Sequence, residues 1–197
     1  MRNWKKSLLS ALMIAGSTFV FAQGTPSQGH AQHSSPVAQT QAQKDQAGAL
    51  IEAVRKATAG FQDFHAAEAA GYHLGFGCVS GPDFGAMGMH FINMDLVKAG
   101  ALDASQPQIV IYEPQPDGKL KLIGADFLLD AATWDKNNPG NPPQLMGQLF
   151  HFFDKPNRFG LDPFYTLHVW AWKENPTGAF TNWHADVSCQ SFTGRTP

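Results

Sequence analysis

The apolar residues of this chain keep a helical spacing in only one stretch. Ala47, Leu50, Val54, Ala57, Phe61 and Phe64 follow one another three or four positions apart, which lines them along one stripe of a helix. Asp45 can cap its start and Gly71 can stop it, while Gly60 weakens it or divides it in two. Beyond Gly71 the pattern changes to short apolar runs bounded by Gly, Pro, Asn and Asp. Ala86 to Asn93, Gln108 to Glu113, Lys119 to Leu128, Gly147 to Phe153 and Phe164 to Lys173 all have strand length. Pro114-Gln115-Pro116-Asp117-Gly118 joins the second and third of these as a hairpin turn. Residues 78–85 read as turn, 95–102 as a short helix and 130–146 as a long loop. One helix ahead of about five or six hairpin-linked strands predicts an α+β fold, an N-terminal amphipathic helix packed on an antiparallel β-sheet or partial barrel.

The opening residues have the three parts of a secretory signal peptide, residues 1–22. Arg2, Lys5 and Lys6 are its basic end, Leu8 to Phe21 its apolar core, and Val20-Phe21-Ala22 its cleavage site. Ser10, Gly16, Ser17 and Thr18 interrupt the core, and a spanning helix wants about 20 apolar residues. The expected location is therefore periplasmic or secreted, with no membrane attachment after cleavage behind Ala22. Residues 23–44 are rich in Gln, Ser, Ala, Gly and Pro, and read as a flexible low-complexity tether carrying His30 and His33. Residues 45–197 then form a single domain. Removing the three basic residues of the leader from the 14 in the chain leaves 11 against 16 acidic ones, a formal charge of −5. That balance speaks against a nucleic-acid partner. Cys78 and Cys189, two cysteines in an oxidising compartment with no C-x-x-C spacing, predict one disulfide.

Chemistry has to come from polar groups borne on the strands. His90, Glu113 and His168 are two imidazoles and a carboxylate of the kind that binds Zn²⁺, Mn²⁺, Fe²⁺ or Cu²⁺; Asp126 and His151 are further candidates. They lie 23 and 55 positions apart, with no H-x-H or H-E-x-x-H pair to bring two ligands together locally. The bland alternative is a set of core or rim histidines bonded to backbone, with Glu113 capping a hairpin. In the strand from Lys119, alternation puts Leu120, Leu122, Gly124, Asp126 and Leu128 on one face. In the last strand it puts His168, Trp170 and Trp172 on one face, a platform for a flat, cationic or sugar ligand or simply core. Tyr112, Asp126, Trp170 and Trp172 are thus the expected small-ligand residues. Glu113 and Asp126 are the obvious carboxylate pair for glycoside hydrolysis, on neighbouring strands of one hairpin but without a visible cleft. No G-x-S-x-G elbow or phosphate-binding glycine loop is present.

The segments Gly85 to Asn93, Ile111 to Phe127 and Leu167 to Cys189 resemble an uncharacterised family of small secreted bacterial proteins. Matching positions include Cys78, His90, Asn93, Tyr112, Glu113, Pro114, His168, Trp170, Trp172, Asn175, Pro176, Trp183 and Cys189. The resemblance covers residues 48–190 and implies one shared domain but no particular activity. The family pattern has glutamate at Asp126, which keeps a carboxylate, and Asn-Pro at His184-Ala185, which makes His184 a poor member of any shared site. A looser likeness to cupins lacks their H-x-H motif. The expected function is a small-ligand or metal-binding domain with a His/Glu/Trp-lined pocket and a divalent transition metal as its cofactor. The alternative is a metal-dependent enzyme using His90, Glu113 and His168 as ligands.

Overall fold

The structure, a computed structural model, describes residues 38–194. The expected signal peptide (residues 1–22), and His30 and His33 of the expected tether, lie outside the described residues. The first helix, α1 (Gln41–Thr58), starts four residues before the expected Asp45. Thr40 caps it: the Gln43 N–H donates to Thr40 Oγ1 at 3.2 Å and the Thr40 N–H to Gln43 Oε1 at 2.8 Å, so two otherwise unpaired donors are satisfied reciprocally. Residues 41–44 of the expected tether are therefore helical. The helix does divide near Gly60, where a tight turn (Ala59–Gln62) intervenes, and Asp63 then caps α2 (Phe64–Ala69). Leu50 and Val54 of α1 and Phe64 and Ala67 of α2 are the buried apolar residues of this arm.

After Gly71 the chain makes β1 (His73–Ser80), β2 (Ala86–Ile92), α3 (Met94–Ala99), β3 (Ile109–Pro114), β4 (Leu120–Asp130) and α4 (Ala131–Asn137). It continues through a minimal hairpin, β5 (Gln144–Leu145) and β6 (Gln148–Leu149), to β7 (His151–Phe153) and β8 (Phe164–Val169). Six of the strands form one antiparallel sheet in the order β1-β2-β3-β4-β8-β7, curled into a half-barrel with the helical arm packed on it. The α+β expectation holds. Two local readings do not. Residues 73–80 are an edge strand where turn was expected from 78, because Gly75 and Gly77 and half-exposed positions hide its alternation. Residues 131–137 are a helix within the supposed loop, capped by Asp130, whose carboxylate accepts from the Thr133 N–H at 2.7 Å.

The sheet has two faces, and one extra residue decides what β4 shows to each. Ile111 of β3 pairs with Gly124 and Tyr112 pairs with Leu122, so Ile123 is a bulge. A bulge reverses the alternation. Leu120 and Leu122 pack toward the helical arm with Met89, Phe91, Val110 and Tyr112, whereas Asp126 and Leu128 turn to the opposite face. The expectation that Leu120, Leu122 and Asp126 share a face is thus corrected. Ala125, Phe127 and Leu129 rejoin the helix-facing core with Leu50, Val54, Leu167 and Val169. Behind the sheet, Ile109, Ile111, Ile123 and Trp170 pack against Val187 from the C-terminal segment.

That segment is stitched down at several points. His184 and Ala86 exchange backbone hydrogen bonds of 3.0 and 3.2 Å. Gly85 has φ +80°, and a Cβ there would sit 2.1 Å from the His184 carbonyl oxygen, so only glycine lets the two chains meet. Cys78 and Cys189 form the expected disulfide across 111 residues. Closing a loop of that length is worth about 4–5 kcal/mol in the chain-entropy account. Replacing both cysteines by serine is expected to lower the unfolding free energy by about 4 kcal/mol, read from urea titrations followed by tryptophan fluorescence; an unchanged midpoint would show that the sheet holds the tail unaided.

Candidate metal centre

On the face away from the helices, His90 from β2, Asp126 from β4 and His168 from β8 converge. Their relative exposures are 4%, 3% and 3%, and one ligand atom from each lies within 4.8 Å of the others. Asp126 and His168 are direct partners across the β4–β8 ladder. His90 is three strands from His168, about 14 Å in a flat sheet. The curl of the sheet and the reach of two imidazoles close that gap, leaving the two Nε2 atoms 3.4 Å apart. Gly124 continues the row of His90 and Ile111, and a Cβ there would lie 2.6 Å from the Val169 carbonyl oxygen and 3.4 Å from the Trp170 ring, so glycine lets β8 and Trp170 close in beside the site.

Proton positions follow from the partners. His90 Nδ1 is 3.2 Å from the Gly88 carbonyl; a carbonyl can only accept, so Nδ1 carries the hydrogen and Nε2 presents its lone pair. His168 Nδ1 is buried without a hydrogen-bond partner and lies 3.7 Å from Asp126 Oδ1. That oxygen accepts from Thr166 Oγ1 at 2.6 Å and from the Leu167 N–H at 3.1 Å. If His168 turns an Nδ1–H toward the carboxylate, two Nε2 lone pairs face each other. If it instead donates Nε2–H to His90, a bare Nδ1 faces a carboxylate oxygen. Either arrangement leaves a mismatch that a cation shared by the three side chains would relieve.

Burial sets the charge states. Desolvation, and then the neighbouring His168, push His90 down to about 4. Desolvation, with His151 nearby, pushes His168 down to about 3. Desolvation raises Asp126 to about 6, against the opposing pull of His90 and of its two donors. Near neutral pH the imidazoles are uncharged and the carboxylate ionised, the forms a metal needs. Beside them is a cavity of about 20 Å³ walled by Phe76, Met87, Leu128, Phe159, Leu161 and Phe164, among others. Phe159 and Leu161 come from the turn-rich stretch before β8, a contribution the sequence pattern did not reveal.

The other expected site residues go elsewhere. Glu113 is not one of the three convergent residues: its two oxygens accept from Lys173 Nζ at 2.9 and 2.8 Å, and one also accepts from the Ser188 N–H. It anchors the C-terminal segment, and Asp126 takes the place expected for it. Trp170 and Trp172 do not share a face, because regular pairing ends at Val169. Trp170 flanks His168 with ring centres 5.6 Å apart and donates to the Thr181 carbonyl. Trp172 packs on the helical side and donates to Thr58 Oγ1 at 2.9 Å. Tyr112 is on that side too, donating to the Phe61 carbonyl at 2.7 Å. His151 is exposed beside the Phe180 carbonyl. His184, absent from the expected set, is fully buried edge-on to Trp170 and accepts from the Asp186 N–H through Nδ1. Its Nε2 has no partner.

The shifts make stability depend on pH. Between about pH 4 and 6 the unfolded chain protonates both imidazoles, while the folded domain leaves them neutral and protonates Asp126 instead. His90 and His168 therefore favour folding increasingly as pH rises from about 4 toward the ordinary histidine range. Asp126 opposes them, since its own contribution is lost as pH rises to about 6. The net difference is one proton, or about 1.4 kcal/mol of stability per pH unit. Urea unfolding of chelator-treated protein should accordingly show stability rising from pH 4.5 to 6; a flat or falling profile would contradict these charge states.

No protein-family model, curated protein or solved structure matches the chain.

Proposed function

We propose that this domain binds one divalent transition metal ion through His90, Asp126 and His168, and that it does so outside the cytoplasm. The observation that carries the reading is the convergence of two neutral imidazoles and a carboxylate in a buried pocket. The 3.4 Å between the Nε2 atoms supports it. Two nitrogens bound to one ion at about 2.0–2.1 Å stand roughly 2.8–3.4 Å apart, from octahedral neighbours at the short end to tetrahedral ones at the long end. Further support comes from the Gly88 carbonyl, which holds the far nitrogen of His90 as outer partners of metal-binding histidines do.

Three protein ligands beside a cavity leave a coordination position open, the arrangement of catalytic rather than structural metal sites. A metal-dependent enzyme is thus favoured over a purely structural ion. The disulfide supports an oxidising location, as does the leader pattern in residues 1–22. Among the described residues, no helix is long and apolar enough to cross a membrane.

Metal content is the test. Protein exported to an oxidising compartment, purified without a histidine tag and analysed by elemental mass spectrometry is expected to carry near-stoichiometric metal. His90→Ala, His168→Ala and Asp126→Asn should lose it, and Glu113→Gln should keep it. Wild-type protein that stays metal-free after reloading with Zn²⁺, Mn²⁺, Fe²⁺ and Cu²⁺ would sink the proposal. Loss in Glu113→Gln but not Asp126→Asn would restore the ligand set expected from strand composition.

A further inference from the structure

The cavity beside the three ligands restricts what can occupy the open position. It measures about 20 Å³, where a single water needs about 10–15 Å³ on the same measure. Pockets for organic substrates run to about 300–1,000 Å³. Of its lining residues only His90, Asp126, Thr166 and His168 are polar. The Thr166 hydroxyl is committed to Asp126 at 2.6 Å, which leaves no free hydroxyl for a guest. The remaining wall is aromatic and aliphatic, with Phe159 in ring contact with Phe76 and Phe164 at 5.3 and 6.0 Å between centres. Water in such a chamber finds too few of the two to four partners that hold it in place. An anion would shed its hydration beside a carboxylate.

Building on the metal-site reading, we propose that the ion is Fe(II) and that its open position takes a neutral, apolar diatomic molecule such as dioxygen or nitric oxide. Two imidazoles, one carboxylate and open positions are the donor set of non-haem ferrous oxygen sites. Here it sits at the end of a chamber that fits two atoms and offers them an apolar wall. Larger guests meet its narrow inner end beside the ligands, and charged ones would have to shed hydration against an apolar wall.

Nitric oxide is the probe. The full domain, loaded anaerobically with Fe(II) and checked for iron by elemental analysis, is titrated with nitric oxide and followed by electron paramagnetic resonance. An iron–nitrosyl signal accounting for most of the bound iron is expected, whereas tert-butyl isocyanide, a neutral iron ligand too large for the chamber, should leave the visible spectrum unchanged. Leu161→Phe adds bulk to a half-buried wall residue away from the ligands, and should keep the iron while weakening nitric oxide binding about tenfold, roughly 1.4 kcal/mol. Phe159→Ala should keep the iron and admit the isocyanide. Iron bound without a nitrosyl, or an isocyanide bound by wild type, overturns this inference and leaves the metal site standing. Failure to hold iron while Zn²⁺ binds through the same three residues also overturns it alone; failure to hold any metal overturns both.

Discussion

Ile123 is one residue too many for the strand that carries it, and much of the molecule turns on that excess. The bulge reverses the alternation of β4, so that Leu122 faces the helices while Asp126, four positions on, faces away. Without it Asp126 would point into an apolar layer among Phe91, Val110 and Tyr112 with no histidine in view. The same residue ends the neighbouring strand. Its carbonyl accepts from both the Trp172 and Lys173 N–H groups at 3.1 and 3.2 Å, which pulls the chain out of the ladder after Val169. Trp172 thereby goes to the helical arm, and Lys173 is left to meet Glu113.

Three polar groups are buried beside apolar neighbours, and each is held by a different device. Asp126 has two donors on one oxygen, His90 a backbone carbonyl, and His168 only its proximity to the other two. Burying polar groups with incomplete pairing costs of order 1–3 kcal/mol each. The fold carries that cost on a sheet whose other face is fully packed. Core packing would be better served by leucine or valine at these positions, so the cost is consistent with a role beyond stability. The Lys173–Glu113 pair is a different matter: it is partly exposed and locks the tail rather than building a site.

Much of this is legible in the sequence alone. The stripe from Ala47 to Phe64 located the helical arm, Gly60 its break, and the two cysteines their bridge. The capping pair Thr40 and Gln43 is written in the sequence as well, but the surrounding Gln and Ala residues look like tether. β1 was hidden because its glycines and exposed positions erase the period of two. His90 and His168 stood out as polar groups on apolar strands. Which carboxylate joins them did not, since Glu113 and Asp126 look equivalent on a simple hairpin. The choice depends on a bulge defined by the pairing of two strands, and one strand's residues do not contain it. The tryptophan face is hidden for a related reason: the alternation of residue types continues past Val169, where the ladder stops.

The disulfide has a consequence for when the domain becomes competent. Cys189 fastens the segment that backs Trp170, which flanks His168. His90 and His168 are themselves 78 residues apart. The pocket thus draws on segments far apart in the sequence, and it is complete only once those strands have paired and the C-terminal segment is fastened. An ion arriving earlier would meet single, solvated histidines with little power to retain it. On the proposed metal reading, the compartment in which the cysteines are oxidised is also the one whose ion supply would fill the finished pocket.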